Sequence, residues 1–279
     1  NLEWRDKTES GFEYNVGVNM STIRNRMTKL NGGTPISDGP FRNGSMYLTY
    51  TNEGMPIGAF WGYKTDGLIQ TQEQLNAVKR ADFQPNAELG DVLFVDTNGD
   101  GKLDSSDRCM IGNPIPDIIY GINMGMAWKG FDLNLQFGGT IGNQIFNAMR
   151  YYTYFPNDIT NKDRALMNYW TPNNTNTDIP RLTATDVNDN DRFSDMYVEN
   201  GTYFRLRNAQ LGYTLPASLT QRIKLQKVRF YVSGQNLFTI SSYSGMDPEV
   251  GQSSSLSRGI DYGIYPQNIS FTGGINVTF

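Results

Sequence analysis

A chain of 279 residues with 24 Lys+Arg against 28 Asp+Glu carries a formal charge of -4, so there is no basic excess to neutralise phosphates and nucleic acid is not an expected partner. Histidine is absent, which removes the commonest general base, the Ser/His and Cys/His nucleophile pairs and the imidazole metal ligands, and so argues against most hydrolases. The lone Cys109 cannot form an internal disulfide, no run of about 18 apolar residues offers a transmembrane helix, and 13% aromatics with 29 glycines favour strands and long loops.

The chain opens on Asn1 with no initiator Met and no leader, which predicts a piece of a longer protein. Asn1 to Trp4 reads as the foot of a strand. Period-two alternation begins next, with Phe12, Tyr14, Val16, Val18 and Met20 against Glu13, Asn15, Gly17, Asn19 and Ser21. A long connection, 28–117, follows. Inside it Thr71 to Arg80 predicts a short helix, with Thr71 and Gln74 as a capping box, and Asp91 to Val95 looks like a strand.

Residues 96–107 carry the sharpest chemical motif, matching an EF-hand calcium loop at its positions 1, 3, 5, 6 and 9. A hard dication takes oxygen ligands, so Asp96, Asn98 and Asp100 would offer side chains, Lys102 its carbonyl, Asp104 a direct or water-mediated oxygen, and Gly101 the bend. At position 12 Asp107 replaces the usual Glu, and its shorter arm bears on the choice between Ca2+ and Mg2+. With a strand and no helix leading in, the loop is expected to staple rather than to open as a sensor. The competing account is a pair of Asn-Gly and Asp-Gly turns that need no ion.

Beyond the loop, Ile118, Tyr120, Ile122, Met124, Met126 and Trp128 share one face of a strand. A tight turn at Lys129 and Gly130 leads back through Phe131, Leu133, Leu135 and Phe137, giving a hairpin. The connection 142–201 holds the aromatic group Tyr151, Tyr152, Tyr154 and Phe155, open either to ligand stacking or to plain loop packing, and a helical pattern over 161–170. Tyr203 to Tyr213 and Val228 to Gln235 alternate with mixed faces. After the connection 239–267, Ile269, Phe271, Gly273, Ile275, Val277 and Phe279 share one face of the last strand.

The segments are about ten residues long, the span of a tilted strand in hydrocarbon. Alternation of this kind also fits a soluble antiparallel sandwich with one wet face. Uncharged Asn, Ser, Thr and Gly on the polar faces, and Trp128 and Phe131 at a turn where an aromatic girdle would lie, favour an antiparallel transmembrane β-barrel. The aromatic end of an alternating strand at Phe279 resembles the C-terminal insertion signal of bacterial outer-membrane barrels. Counting back from that end makes 129–130 and 215–226 inner turns and the three long connections outer loops. An open sheet in lipid leaves edge groups unpaired at several kcal/mol each, so the remaining strands are expected from a larger parent.

Several ordered motifs together resemble the C-terminal part of SusC/RagA-type TonB-dependent importers. They are Gly54 to Gly67, Gly90 to Gly101, Ile111-Gly112-Asn113-Pro114 with Tyr120-Gly121, Lys129 to Leu133, Glu199 to Arg207, Gln235 to Phe238 and Gly245 to Glu249. The resemblance spans essentially all of the chain. It implies the last strands of a 22-stranded barrel around an N-terminal plug, capped by a SusD-like surface lipoprotein, importing oligosaccharides or peptides with energy from TonB. Plug and TonB-contacting segment would lie upstream, and outer-membrane lipid would surround the wall. Two rival readings stand beside it: a secreted calcium-stabilised β-sandwich that binds glycans on the tyrosine group, and a glycosidase using Asp247 and Glu249.

Overall fold

The structure, a computed structural model, describes residues 1–155, 161–251 and 254–279, so the expected loops 142–201 and 239–267 each contain residues outside that set. Seven antiparallel strands form the principal sheet in chain order: β1 (Leu2–Lys7), β2 (Glu13–Thr22), β3 (Ile118–Trp128), β4 (Phe131–Ile141), β5 (Tyr203–Thr214), β6 (Lys227–Ser241) and β7 (Ser270–Thr278). All six full strands expected from alternation are present, and the expected foot is a short strand of its own. No helix among the described residues is long and apolar enough to cross a membrane.

Register aligns the apolar set across the whole sheet. Trp4, Val16, Met124, Leu135, Ala209, Gly234 and Phe271 form one continuous row, each opposite the next. One residue along, Arg5, Asn15, Gly125, Asn134, Gln210, Ser233 and Thr272 form the matching polar row. Because successive side chains point to opposite faces, the sheet has one apolar face and one polar face. The apolar face has no core of its own; Phe271 is 78% and Val232 60% exposed.

The mixed faces of β5 have a local cause. Arg207 is a bulge: Gln136 and Phe137 are adjacent, yet they face Asn208 and Leu206. The extra residue reverses parity, so Phe204 and Leu206 share a face with Ala209, Leu211 and Tyr213. Strand β6 answers with an irregularity opposite the same place, where Asn236 takes a φ of 53°, and it runs on to Ser241 instead of stopping at Gln235. At the tight turn Lys129 and Gly130 have φ of 48° and 86°, the positive pair that matches hairpin twist.

Short connections, 8–12, 129–130 and 215–226, all lie at one end of the sheet. The long ones, 23–117, 142–202 and 242–269, all lie at the other, and they pack together. Ile36–Phe41, Met46–Thr51, Ala59–Gly62 and Cys109–Gly112 form a four-stranded sheet inside the first. Gln144–Asn147 pairs with Val198–Asn200 and with Ile260–Asp261, joining the second connection to the third. Their common core contains Phe41, Leu48 and Phe60 from the first, Phe146, Tyr151, Phe193 and Tyr197 from the second, and Ile260 from the third. A second cluster joins Leu68, Val92 and Phe94 to Trp170.

Helix α1 (Gln72–Arg80) has the expected capping box of Thr71 and Gln74 and buries Leu75. The helix expected over 161–170 is only a five-residue 3-10 segment, Arg164–Asn168. Asp163 caps it, and Trp170 is drawn out of helical geometry into the second cluster, its indole N–H donating to Gln70 at 2.7 Å. The helix that does form is α2 (Ala148–Tyr154), capped by Asn147.

Candidate functional site

The loop layer gathers every residue singled out as a candidate ligand. Residues 96–107 bridge Val92–Phe94 and Cys109–Gly112, so strands flank the loop as expected. Asp96 accepts from the amides of Gly99 at 2.7 Å and Gly101 at 2.8 Å, and these two glycines have φ of 78° and 77°. Asn98 accepts from the Asp100 amide at 2.8 Å, Asp100 from that of Lys102 at 2.9 Å, and Asp104 from that of Ser106 at 2.7 Å. Hydrogen bonds, led by that of the Gly101 amide, hold Asp96 below the usual carboxylate range, and those of Ser106 do the same for Asp104.

Asp107 is a different kind of residue. It is fully buried, with one oxygen accepting from the Thr97 amide and the other from the Asp104 amide, each at 3.0 Å. In this arrangement it closes the loop. Six oxygen donors therefore share one loop, and their chemistry suits a hard cation. Among the described residues, however, no three Asp, Glu, His or Cys side chains converge on a point a metal ion could occupy. The backbone amides hold the carboxylates apart.

The aromatic group divides in a way that its spacing hides. Tyr151 and Phe155 are 4% and 7% exposed, inside the loop core. Tyr151 meets Phe41 edge-on at 4.9 Å and Tyr197 at 5.1 Å, and its hydroxyl accepts from Arg42 at 3.0 Å. Burial pushes its ionisation well above the tyrosine range. Tyr152 tilts onto Phe41 at 5.1 Å, and Tyr154 lies beneath the Arg150 guanidinium at 5.0 Å. Of the two readings open for the group, loop packing is what Tyr151 and Phe155 do, because α2 turns them inward against the other loops.

Asp247 and Glu249 are held by arginines. Arg205, 2% exposed, donates to Asp247 at 2.6 Å, Glu249 at 2.8 Å and the Thr239 hydroxyl at 2.8 Å, and Arg207 donates to Glu249 at 3.1 Å. Burial pushes the Asp247 carboxyl up, but the amides of Gln267 and Glu249 and the Arg205 guanidinium outweigh it and keep it below the usual range. A pair clamped in this way locks the third loop to β5 and is not poised for acid–base chemistry.

A similar lock went unread in the sequence. Asp91 is fully buried and accepts from Arg181 at 2.6 Å, Asn190 at 3.0 Å and the Glu88 amide at 2.8 Å, tying the first loop to the second. Gly90 beside it has a φ of 87°, and a Cβ there would overlap the Trp170 ring. The only available signal was the Gly90-Asp91 pair within its motif, whose partners lie some ninety residues away.

No family model matches the chain. It is similar to the TonB-dependent receptor P3 of Formosa agariphila, 36% identical over 99% of this chain and 28% of that protein. It is also similar to the TonB-dependent receptor SusC of Bacteroides thetaiotaomicron, 27% identical over 96% of this chain and 24% of that one. In fold it matches the structure of the RagAB peptide transporter, with a TM-score of 0.74, 23% identity and coverage of 99% of this chain and 28% of the other. The chain thus spans about a quarter of the length of the relatives it matches.

Proposed function

Since the chain belongs to the TonB-dependent receptor family, outer-membrane β-barrels of Gram-negative bacteria and not enzymes, we propose that its parent protein imports a nutrient across the outer membrane. The observation that carries this is the pairing of an apolar face that crosses seven strands, interrupted at Asp6 of β1, with a packed loop layer at one end only. Apolar side chains that face outward without a core are stable against hydrocarbon and costly in water. Sheet edges at β1 and β7 are where further strands of a larger barrel, 22 in all, would pair.

In this proposal the long loops face outward and the short turns face the periplasm. A SusD-like surface lipoprotein covers the loop layer, a plug from the rest of the protein fills the lumen, and TonB supplies energy through that part. The cargo is an oligosaccharide or a peptide. The RagAB assembly that the fold matches is a peptide transporter. The test is fractionation of the parent protein with recovery of bound proteins. Extraction from the outer membrane only with detergent, together with a lipoprotein, is the expected result; a water-soluble monomer would overturn the proposal and restore the sandwich.

We propose further that residues 96–107 bind a divalent cation, Ca2+ or Mg2+. Asp96, Asn98, Asp100 and Asp104 with the Lys102 carbonyl would be ligands, and Asp107 would orient the loop. Support comes from the donor set and from the two left-handed glycines that already bend the loop. Calorimetry on the parent protein is expected to detect binding that a chelator abolishes; heat unaffected by chelator would refute it.

A further inference from the structure

The apolar face of the sheet is not evenly covered. Near the short turns Phe131, Tyr213, Phe230 and Ile275 lie opposite one another as a bulky row across β4 to β7. The next row toward the loops runs Leu133, Leu211, Val232 and Gly273, and the one after it Leu135, Ala209, Gly234 and Phe271. Ala209, Gly234 and Gly273 leave the wall thin, and Leu237, beside the irregularity at Asn236, overhangs Gly234 from the loop side. The result is an apolar groove of about 410 Å3, walled by Leu133, Leu211, Val232 and Phe271. In a face that meets hydrocarbon such a groove is filled by a chain lying in it, because wall atoms without a neighbour forfeit their dispersion contacts.

A second feature stands at the foot of the same strands. The connection 215–226, which joins β5 to β6, contains Arg222 and Lys224 and no acidic residue. Both are exposed, and among the described residues neither makes an ion pair. The connection leans on β6 through α3 (Ala217–Thr220), and Val228, on the apolar face at that level, is only 6% exposed. Four steps separate Val228 from Val232, about 13 Å along a strand, and half the thickness of a hydrocarbon core is about 15 Å. A chain whose head is held at the connection therefore ends in the groove.

We propose that the groove on β4 to β7 holds one acyl chain of an anionic phospholipid from the inner leaflet, with its phosphate at Arg222 and Lys224. Buried apolar area fixes the chain, and the two cations select the head. The site keeps one lipid on the barrel while the rest of the surrounding lipid exchanges. It rests on the apolar face meeting lipid with the short turns inward, and not on what the barrel imports.

Gly273→Leu fills the groove, and a Cβ there meets only the Tyr231 carbonyl at 3.8 Å, so the strand accepts it. Ala209→Leu fills the same groove from β5 and serves should the first variant not assemble. Arg222→Gln combined with Lys224→Gln removes the cations, and Val16→Leu, on the same face outside the groove, is the control. The full parent protein with its partners is purified in mild detergent, checked for assembly by heat-modifiable mobility and stripped of lipid. It is then mixed with phosphatidylglycerol or phosphatidylcholine of equal chain length, and retained lipid is counted by native mass spectrometry. The unmodified protein and Val16→Leu should hold one phosphatidylglycerol, with a preference of about tenfold over phosphatidylcholine from the two cations. Filling the groove should lower retention of both lipids by an order of magnitude, and the double variant should hold the two alike. Full retention in the filled variants, an unmodified protein without the preference, or a double variant that keeps it overturns the proposal. An assembled, detergent-dependent barrel that holds no lipid refutes this site alone; a parent protein soluble without detergent refutes the membrane setting and the site with it.

Discussion

The strand wall and the loop layer solve opposite problems with the same chain. In the wall, stability comes from a solvent: the apolar row from Trp4 to Phe271 stays open to hydrocarbon, and hydrogen bonds run between neighbouring strands. In the loop layer it comes from the chain itself, through a core drawn from three connections and locks centred on the buried residues Arg205 and Asp91. One region tolerates change wherever the period of two is kept. The other depends on particular pairs.

The largest effect should follow from breaking a lock. Arg205→Ala leaves Asp247 buried with its amide hydrogen bonds but without its countercharge, and chemical denaturation of the parent protein should register a loss of about 3 kcal/mol. The same lock predicts acid sensitivity. The folded Asp247 carboxyl titrates below its unfolded value, so its contribution is complete above about pH 4 and fades as pH falls through the folded value. Melting curves of the parent protein and of Arg205→Ala over that range should converge at low pH. Parallel curves would mean that Asp247 does not titrate with folding.

In the wall the contrast is between faces. Val232→Arg on the apolar face should cost roughly 2–4 kcal/mol in bilayer folding, while Ser233→Arg, one residue away on the polar face, should cost far less. Equal costs would deny that the faces differ. For the calcium loop, saturation at about a hundred times the dissociation constant should add about 2.7 kcal/mol, read as a melting shift that chelator reverses. The smallest effect is at the α1 cap, where Thr71→Ala should cost about 1 kcal/mol of local stability, visible as faster amide exchange in Gln72–Arg80 alone.

How far each region could be read from sequence follows from the range of its interactions. Wall strands announce themselves because every second residue meets the same medium, and reading fails only where parity changes, at Arg207, or where charge hides a strand, at Arg5 to Lys7. Capping of α1 is local and was legible. The loop layer was not, since Arg42 meets Tyr151, Gln84 meets Asn188 and Asp91 meets Arg181 across distances of about ninety to 110 residues. For the same reason spacing alone left Tyr151 and Phe155 open between stacking and packing. The 96–107 spacing was legible as chemistry, but the part played by Asp107 depends on amides at Thr97 and Asp104 that spacing does not reveal.

The central claim, that the apolar face of the seven strands meets lipid, can be tested by nitroxide scanning through residues 270–278 of the parent protein in bilayers. Collision with oxygen should peak at Phe271, Gly273, Ile275 and Val277 and collapse at Thr272, Gly274 and Asn276, with a period of two. Strong collision of the odd positions with a water-soluble relaxant, equal to that of the even ones, would place this face in water and contradict the account.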